Sequence, residues 1–334
     1  MTRMRRGTFI ALAAATAAYP RKARTQTDAD PASGSAAPAL RVLLGRGDAT
    51  PDPGGNGFSF NGRAYRGSFT REPDGSVVNV VDLEQYLYAV VPHEMPPSWP
   101  PAALQAQAIC ARTYVLQRSN PRRAYDVVPS EADQVYGGMA AESPAGRFAV
   151  DATAGQVMRF DNGYASIAYS SCCGGHTEAS ADAWGGAFFP YLAGIVCPYC
   201  MQSPNYRWTA TVALQDIAQR FGQQLAAAGT LQSVRVVDLD ASGRARTFEL
   251  MADRGSTVVK GSAFRLGLGP RVVRSLLITG LRSDASSQSV VIDGGGLGHG
   301  VGMCQWGARG MAQAGRNARD VLAFYFPGTE IGRD

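Results

Sequence analysis

The chain has 334 residues, of which 45% are hydrophobic and 18% are charged. This is the composition of a soluble globular protein with one large or two ordinary domains. Six of the 32 basic residues lie within the first 26 positions, so the rest of the chain nearly balances the 27 acidic residues despite a formal charge of +5. A near-neutral chain has no electrostatic footprint for nucleic acid, and we expect no nucleic-acid partner.

The N-terminus has the pattern of an export signal. Arg3, Arg5 and Arg6 precede a short apolar stretch that ends in small residues, which predicts a signal over residues 1–26. The stretch is too short to span a membrane, and we expect no transmembrane segment beyond the signal. Export predicts a location in the periplasm or cell envelope. Residues 27–39 are rich in Ala, Ser and Pro and predict a flexible linker.

The ordered part is predicted as one domain over residues 40–334. It begins with a small β-rich part over residues 40–81, in which Asn61-Gly62 and Asp74-Gly75 indicate turns. A short helix over residues 83–91 follows. A long Ala-rich helix is then predicted to begin at Pro101 and to end near Asn120.

Helices and strands alternate irregularly through the remainder of the chain. Strands are predicted over residues 156–160, 164–170, 206–212, 231–239, 245–251, 276–281 and 289–292. Helices are predicted over residues 143–153, 214–227, 256–266, 305–314 and 318–324. This irregular order predicts an α+β fold, with mixed or antiparallel sheets and packed helices around a central groove.

Glu94 is the leading candidate for a catalytic residue. It lies in the segment Pro92-His93-Glu94-Met95-Pro96-Pro97, where stiff prolines and apolar side chains keep water away from its carboxyl group. Desolvation raises the pKa of a carboxylic acid, as a general acid at neutral pH requires. The alternative is a structural Glu near the N-terminus of the following helix, where it would favour the macrodipole.

Arg112 lies on the Ala-rich face of the long helix, eighteen positions after Glu94. A buried arginine on such a face is unusual unless it meets an acid or a ligand. A glycine-rich loop, Gly294 to Gly302, precedes the predicted helix at 305–314 and contains His299. Its glycines allow a ligand or another backbone to approach closely, and His299 is either a substrate contact or a structural residue held by backbone bonds. Gln305 could hydrogen-bond a sugar.

Four of the six cysteines fall within 29 positions and predict a cross-linked or metal-binding cluster. Cys173 and His176, with Cys197 and Cys200, form the pattern C-x2-H followed by C-x2-C, a candidate structural zinc site. Cys172 beside Cys173 indicates instead one or two disulfides to the Cys197 and Cys200 pair, which an oxidising compartment favours, and free thiols are the third alternative. Cys110 and Cys304 are interpreted as small buried residues.

Four motifs resemble those of the stage II sporulation protein D and amidase-enhancer family. They are the Glu94 segment with Ala111-Arg112-Thr113-Tyr114, the run from Tyr169 to Trp184, the loop Gly298-His299-Gly300-Val301-Gly302 with Gln305-Trp306, and the closing Leu322 to Thr329. They follow the family's order and cover residues 40–334. The resemblance implies a peptidoglycan lytic transglycosylase that cleaves peptide-stripped glycan strands.

By this resemblance, the family's catalytic acid falls on Glu94 and its helix arginine on Arg112. We expect Arg112, Tyr114, His299 and Gln305 to bind substrate in one groove. In this reaction the sugar's own 6-hydroxyl attacks C1, so one carboxyl group serves as acid and then as base, and no cofactor is required beyond a possible structural zinc. Asp82, Glu84, Asp133 and Glu178 remain as alternative carboxylates.

Two other functions are compatible with the sequence. The first is a non-catalytic amidase enhancer that binds glycan strands or activates a cell-wall amidase. The second is a thiol or zinc hydrolase built on the cysteine cluster, which would lose activity with a chelator or a thiol reagent. Cys304 as a nucleophile has only His299 as an acidifying partner in the sequence.

Overall fold

The structure is a computed structural model that describes residues 39–284 and 286–334. The predicted signal over 1–26 and nearly all of the predicted linker over 27–39 lie outside the described residues. The described chain forms two compact units: unit 1 contains the residues up to Ala168 together with Ala312–Asp334, and unit 2 is Tyr169–Met311. The sequence did not indicate this division of residues 40–334.

Unit 1 begins with two small antiparallel sheets. Its first six strands are β1 (Ala39–Arg46), β2 (Ala49–Pro51), β3 (Gly57–Phe60), β4 (Arg63–Arg66), β5 (Ser68–Arg71) and β6 (Ser76–Asp82). One sheet has the order β1-β6-β5 and the other β2-β3-β4. Asn61 and Gly62 take positive φ at the turn between β3 and β4, as the Asn-Gly dipeptide predicted.

Three helices and a hairpin follow in unit 1: α1 (Leu83–Glu94), α2 (Pro101–Arg118), α3 (Pro144–Asp151), β7 (Gln156–Phe160) and β8 (Gly163–Tyr164). The side chain of Asp82 caps α1 by accepting the backbone N–H of Gln85 at 3.0 Å. Ser143 caps α3 in the same way. An added Cβ at Gly146 would lie 2.6 Å from Pro92 Cγ, so α3 approaches α1 closely. Twelve residues of α2 are buried, which makes α2 the central helix of this unit.

Unit 2 contains the next strands and helices: β9 (Tyr169–Ser170), α4 (Ser180–Trp184), β10 (Trp208–Ala213), α5 (Leu214–Arg220), α6 (Gly222–Leu225), β11 (Leu231–Leu239), β12 (Ala245–Ala252), β13 (Gly255–Lys260), α7 (Gly261–Leu268), β14 (Leu277–Asp284), β15 (Ser289–Gly295), β16 (Met303–Cys304) and α8 (Gln305–Gln313). The antiparallel sheets are β10-β15-β14 and β11-β12-β13. β16 pairs with β9 in parallel, Met303 opposite Tyr169.

One core cluster joins both antiparallel sheets of unit 2 to α5 and α7. Phe248 and Phe264 stack within it at 4.1 Å between ring centroids, and both are fully buried. The chain returns to unit 1 with α9 (Ala318–Tyr325) and β17 (Glu330–Arg333), and β17 adds to the β7 and β8 hairpin. The predicted α+β class with small antiparallel sheets is confirmed. No helix within the described residues is both long and apolar enough to cross a membrane.

Candidate functional site

Glu94 is the last residue of α1 and is half-buried. Its neighbours Val91 and Met95 are fully buried, and the backbone N–H of Met95 donates to the carbonyl of Val91 at 3.0 Å. Glu94 therefore lies at a helix C-terminus, whereas our structural alternative put it near the N-terminus of the next helix. That helix, α2, begins only at Pro101. The partial negative charge at a helix C-terminus disfavours a carboxylate and favours the neutral acid.

Arg112 is fully buried, and its guanidinium pairs with Glu84 on α1. Nε donates to one carboxylate oxygen at 2.7 Å and Nη2 to the other at 2.5 Å. Nη1 donates to the carbonyl of Gln156 at 3.0 Å, and the backbone N–H of Gly155 donates to Glu84. This bidentate pair ties α1 to α2 and to the start of β7. The predicted substrate-binding role of Arg112 is not supported, because its donors are used inside unit 1.

Tyr114 also faces the interior of unit 1. Its hydroxyl donates to Asp133 at 3.2 Å, and the guanidinium of Arg118 lies 3.6 Å from its ring centroid. Asp133 in turn accepts the backbone N–H of Val128 at 2.9 Å. These contacts hold the loop after α2 against that helix, and they do not support the substrate contact that we predicted for Tyr114.

The glycine-rich loop of unit 2 holds His299 in a fixed orientation. Nδ1 accepts the backbone N–H of Val301 at 3.0 Å, which assigns the proton of the neutral ring to Nε2. The ring also bonds the backbone carbonyl of Tyr169 and lies 5.0 Å from the Trp184 ring. Burial, with the nearby Arg265, lowers the pKa of His299 well below its usual range. At neutral pH the side chain is therefore an uncharged imidazole next to a partly exposed indole.

Gln305 is only 2% exposed at the start of α8. The predicted hydrogen bond from Gln305 to a sugar is therefore not supported by its position. The next residue, Trp306, is half-buried, and its backbone N–H donates to the carbonyl of Ser171 at 3.0 Å. The guanidinium of Arg309 lies 4.8 Å from the Trp306 ring. Trp306 is thus the more accessible of the two residues that the motif contributes.

A second glutamate–arginine pair is buried in unit 2. Nε of Arg244 lies 3.1 Å from Glu178, and both side chains are at most 3% exposed. Nη2 of Arg244 donates to the carbonyls of Cys173 and His176. Burial, together with a hydrogen bond to Asp240, raises the pKa of Glu178 to about 8, although Arg244 opposes the shift. Sequence reasoning did not pair Glu178 with Arg244, because the two lie far apart along the chain and no local pattern signals the contact.

The cysteine cluster differs in membership from the predicted one. Sγ atoms of Cys173, Cys197, Cys200 and Cys304 converge, whereas Nδ1 of His176 contacts the carbonyl of Thr177 at 2.7 Å. All six cysteines are buried, and no two of them are joined by a disulfide in the structure. His176 is replaced by Cys304, which we interpreted from the sequence as a small buried residue. The signal that could have found Cys304 was its position in the motif beside Gln305.

The predicted site residues thus fall into two groups. Glu94, Arg112 and Tyr114 belong to unit 1, and His299, Gln305 and the cysteine cluster belong to unit 2. In unit 2 the structure adds two residues that sequence reasoning did not assign to the site, Trp184 beside His299 and Arg244 beside the cysteines. In unit 1 it pairs Glu84, named above as an alternative carboxylate, with Arg112.

Two family models match the chain, one in each unit. A family model described as Stage II sporulation protein matches residues 72–160, which include Glu84, Glu94 and Arg112. A second model, described as a domain of unknown function, matches residues 200–302, which include His299.

Individual relatives span most of the chain. A Stage II sporulation protein D of Bacillus amyloliquefaciens is 30% identical over 283 residues, which cover 78% of this chain and 77% of the relative. An uncharacterized protein of Brachyspira hyodysenteriae is 35% identical over 283 residues, covering 83% of this chain and 74% of the relative. An amidase enhancer of Bacillus subtilis is 31% identical over 293 residues, covering 73% of this chain and 40% of the relative. The chain belongs to the stage II sporulation protein D family.

Proposed function

We propose that the protein is a peptidoglycan lytic transglycosylase that uses Glu94 as its single acid and base. The observation that carries the proposal is the position of Glu94, which is half-buried at the C-terminal end of α1 between buried Val91 and Met95. This helix end favours the protonated acid that the first step requires. Membership of the stage II sporulation protein D family agrees with a role in the cell wall.

The reaction needs one proton donor in its first half and one proton acceptor in its second. Glu94 donates its proton to the glycosidic oxygen as the bond from that oxygen to C1 breaks. The 6-hydroxyl oxygen of the same sugar then bonds to C1, and its proton passes to the Glu94 carboxylate. The product is an anhydro-sugar end, and Glu94 is again protonated. Neither a water nucleophile nor a cofactor takes part.

Each of the other candidate carboxylates has a structural partner. Asp82 caps α1, and Glu84 pairs with Arg112. Asp133 accepts hydrogen bonds from Tyr114 and Val128. Glu178 is buried with Arg244 and accepts the hydroxyl of Ser242 at 3.0 Å. A hydrolase that uses a nucleophile pair would need one of these groups to leave its partner.

Glu94→Gln tests the proposal directly. The amide keeps the shape of the side chain but cannot donate a proton of comparable acidity, so we expect release of anhydro-sugar products from peptide-free glycan to fall at least about 100-fold. The measurement is mass analysis of the products, and the melting temperature should stay unchanged. Glu131→Gln, an exposed glutamate in the same unit, is the matched control and should keep full activity. Equal product release by the Glu94→Gln variant would rule out the acid role.

A non-catalytic amidase enhancer is the second candidate function, and similarity to the Bacillus subtilis amidase enhancer favours it. In that case the wild-type protein releases no products from glycan strands but increases the rate of a cell-wall amidase. The same Glu94→Gln variant separates the two functions, because an enhancer has no use for the acid and the variant would enhance normally. Both functions require export to the cell envelope.

A further inference from the structure

Four cysteine sulfurs of the described chain converge in the interior of unit 2. Sγ atoms of Cys173, Cys197, Cys200 and Cys304 all lie within 4.8 Å of one another, and all four residues are buried. Around a tetrahedral zinc ion with Zn–S bonds of about 2.3 Å, neighbouring sulfurs lie about 3.8 Å apart. The sulfurs of Cys173 and Cys200 are separated by 3.6 Å. We propose that these four thiolates bind one Zn²⁺ ion in a tetrahedral structural site.

The backbone around the cluster supplies hydrogen bonds suited to negatively charged sulfur. Sγ of Cys304 accepts the backbone N–H of Cys173 at 3.2 Å and that of Gly307 at 3.3 Å. Donors of this kind orient metal-bound ligands and stabilise their charge. Arg244 adds positive charge beside the cluster through its 2.8 Å bond to the carbonyl of Cys173. Four thiolates and one Zn²⁺ carry two net negative charges, which these groups partly offset.

Disulfide bonds fit the same sulfurs less well. A disulfide requires an S–S distance of about 2.05 Å, far shorter than the 3.6 Å between Cys173 and Cys200. Two disulfides would also divide the four sulfurs into two close pairs, whereas here all four are mutual neighbours. Four sulfurs that are all mutual neighbours are the arrangement expected around a single metal ion.

The short distances among the four sulfurs also favour a single metal ion over an iron–sulfur cluster. An iron–sulfur cluster places several iron and sulfide atoms between its cysteine ligands. Four sulfurs confined within 4.8 Å of one another leave room for a single metal ion. Tetrahedral coordination by four cysteines is a common structural arrangement for Zn²⁺, which has no redox chemistry to disturb it.

The ion would join three segments that are distant in the sequence. Cys173 follows β9, Cys197 and Cys200 flank Pro198-Tyr199, and Cys304 is the last residue of β16 before α8. Cys304 lies five positions after His299, so the ion would anchor the C-terminal side of the glycine-rich loop. We therefore expect metal removal to loosen the loop and lower the stability of unit 2, without the metal taking part in the glycan chemistry.

Metal analysis of the whole purified chain tests the site without using activity. Protein prepared without chelator should contain one equivalent of zinc by elemental mass spectrometry. Replacement by Co²⁺ should produce the visible absorption of tetrahedral cobalt thiolate, a readout that needs no variant. Removal of the ion by a strong chelator under denaturing conditions should release zinc and expose four additional thiols. Iron in place of zinc, or less than about 0.2 equivalents of any metal, would overturn the zinc assignment.

Variants test which residues bind the ion. Cys197→Ser and Cys304→Ser should each lower zinc content at least about fivefold, and both should lower the melting temperature. Cys110→Ser, at a buried cysteine in unit 1, and His176→Ala, at the rejected ligand, are the matched controls and should retain one equivalent. Loss of zinc in His176→Ala would overturn the four-cysteine set. An unreduced intact mass lighter by two hydrogens per bond would indicate disulfides and overturn the proposal.

Discussion

This protein has two buried glutamate–arginine pairs, and they differ in how the burial of the carboxyl group is compensated. Arg112 and Glu84 in unit 1 form a bidentate pair in which Glu84 keeps a 20% exposed side chain. In unit 2, Nε of Arg244 approaches Glu178 at 3.1 Å but makes no hydrogen bond there, and Oε1 of Glu178 has no hydrogen-bond partner among the described residues. In the first pair, the guanidinium donates to both carboxyl oxygens of Glu84, and these hydrogen bonds replace hydrogen bonds to water.

Glu178 differs because its burial favours the protonated, uncharged form of the carboxyl group. Burial raises the pKa of Glu178 to about 8, and its hydrogen bond with Asp240 adds to this shift. Burial by itself would raise the pKa of Asp240. That pKa is nevertheless lowered, in part by the same hydrogen bond with Glu178. A proton on Glu178 thus allows a hydrogen bond between the two carboxyl groups. A nearby arginine therefore does not by itself make a buried carboxyl group a carboxylate.

The largest effect is expected from Arg112→Ala. The change leaves Glu84 without its cation and the carbonyls of Gln156 and Val150 without a donor, so we expect a loss of about 3 kcal/mol or more in the free energy of unfolding. Urea unfolding followed by circular dichroism measures this loss. Arg46→Ala in the same unit is the control, because its 3.6 Å salt bridge with Asp74 joins side chains that are 74% and 59% exposed, and its loss should be much smaller. Similar losses in the free energy of unfolding of both variants would contradict a larger contribution from the buried pair.

A smaller effect is expected from Gly300→Ala. Gly300 has φ +83, which an alanine adopts at a cost of about 1 kcal/mol, and the new Cβ would overlap Nη2 of Arg244. Arg244 would have to leave the carbonyls of Cys173 and His176, so we expect a total loss of about 2 kcal/mol. Gly315→Ala, also at positive φ but with open space around it, is the control for the backbone cost alone. The difference between the two melting temperatures measures the steric part, and no difference would contradict it.

The third effect is the pH dependence of stability that Glu178 causes. Because the folded-state pKa is raised from 4.5 to about 8, the folded protein binds more protons than the unfolded chain between these values. Stability from this group is therefore full below about pH 4.5 and is lost as pH rises through 8. Glu178→Gln mimics the protonated acid and should remove this loss, which amounts to about 1.4 kcal/mol for every tenfold change in proton concentration between the two pKa values.

Unfolding curves of both proteins at pH 6 and pH 8.5 give the measurement. The wild-type protein should lose stability between these values relative to the Glu178→Gln variant. A constant difference between the two proteins across this range would show that Glu178 is ionised throughout, and it would contradict the raised pKa.

Local patterns predicted the helices better than the strands. The predicted helices over 83–91 and 101–120 correspond to α1 and α2, and their bounds agree to within a few residues. The positions of proline and alanine, which are local signals, indicated both helices. The predicted helix over 256–266 was partly wrong, since Gly255–Lys260 forms β13 and α7 begins only at Gly261. Thr257, Val258 and Val259 are β-branched, and pairing with β12 decides their conformation. β17 was missed because its partner β7 lies far away in the sequence.

The candidate site was predictable where it depended on neighbouring residues. The Glu94 segment was identified from its prolines, and His299 from its glycines. The role of Arg112 depends on Glu84, 28 positions earlier, and this pair forms only through the packing of α1 on α2. The fourth cysteine depends on the parallel pairing of β16 with β9. Contacts between distant segments are therefore the part that one sequence, read alone, did not reveal.

The pairing of β9 with β16 has a consequence for how the chain is assembled. The polypeptide enters unit 2 at Tyr169, and this residue lies beside Met303, shortly before the exit at Met311. Unit 2 is thus an insertion whose entry and exit strands are joined by hydrogen bonds. The entropy of closing a loop grows only slowly with its length. Residues can consequently be added or removed between these two strands, for example at the β11 and β12 hairpin, at little entropic expense to the folding of the host unit.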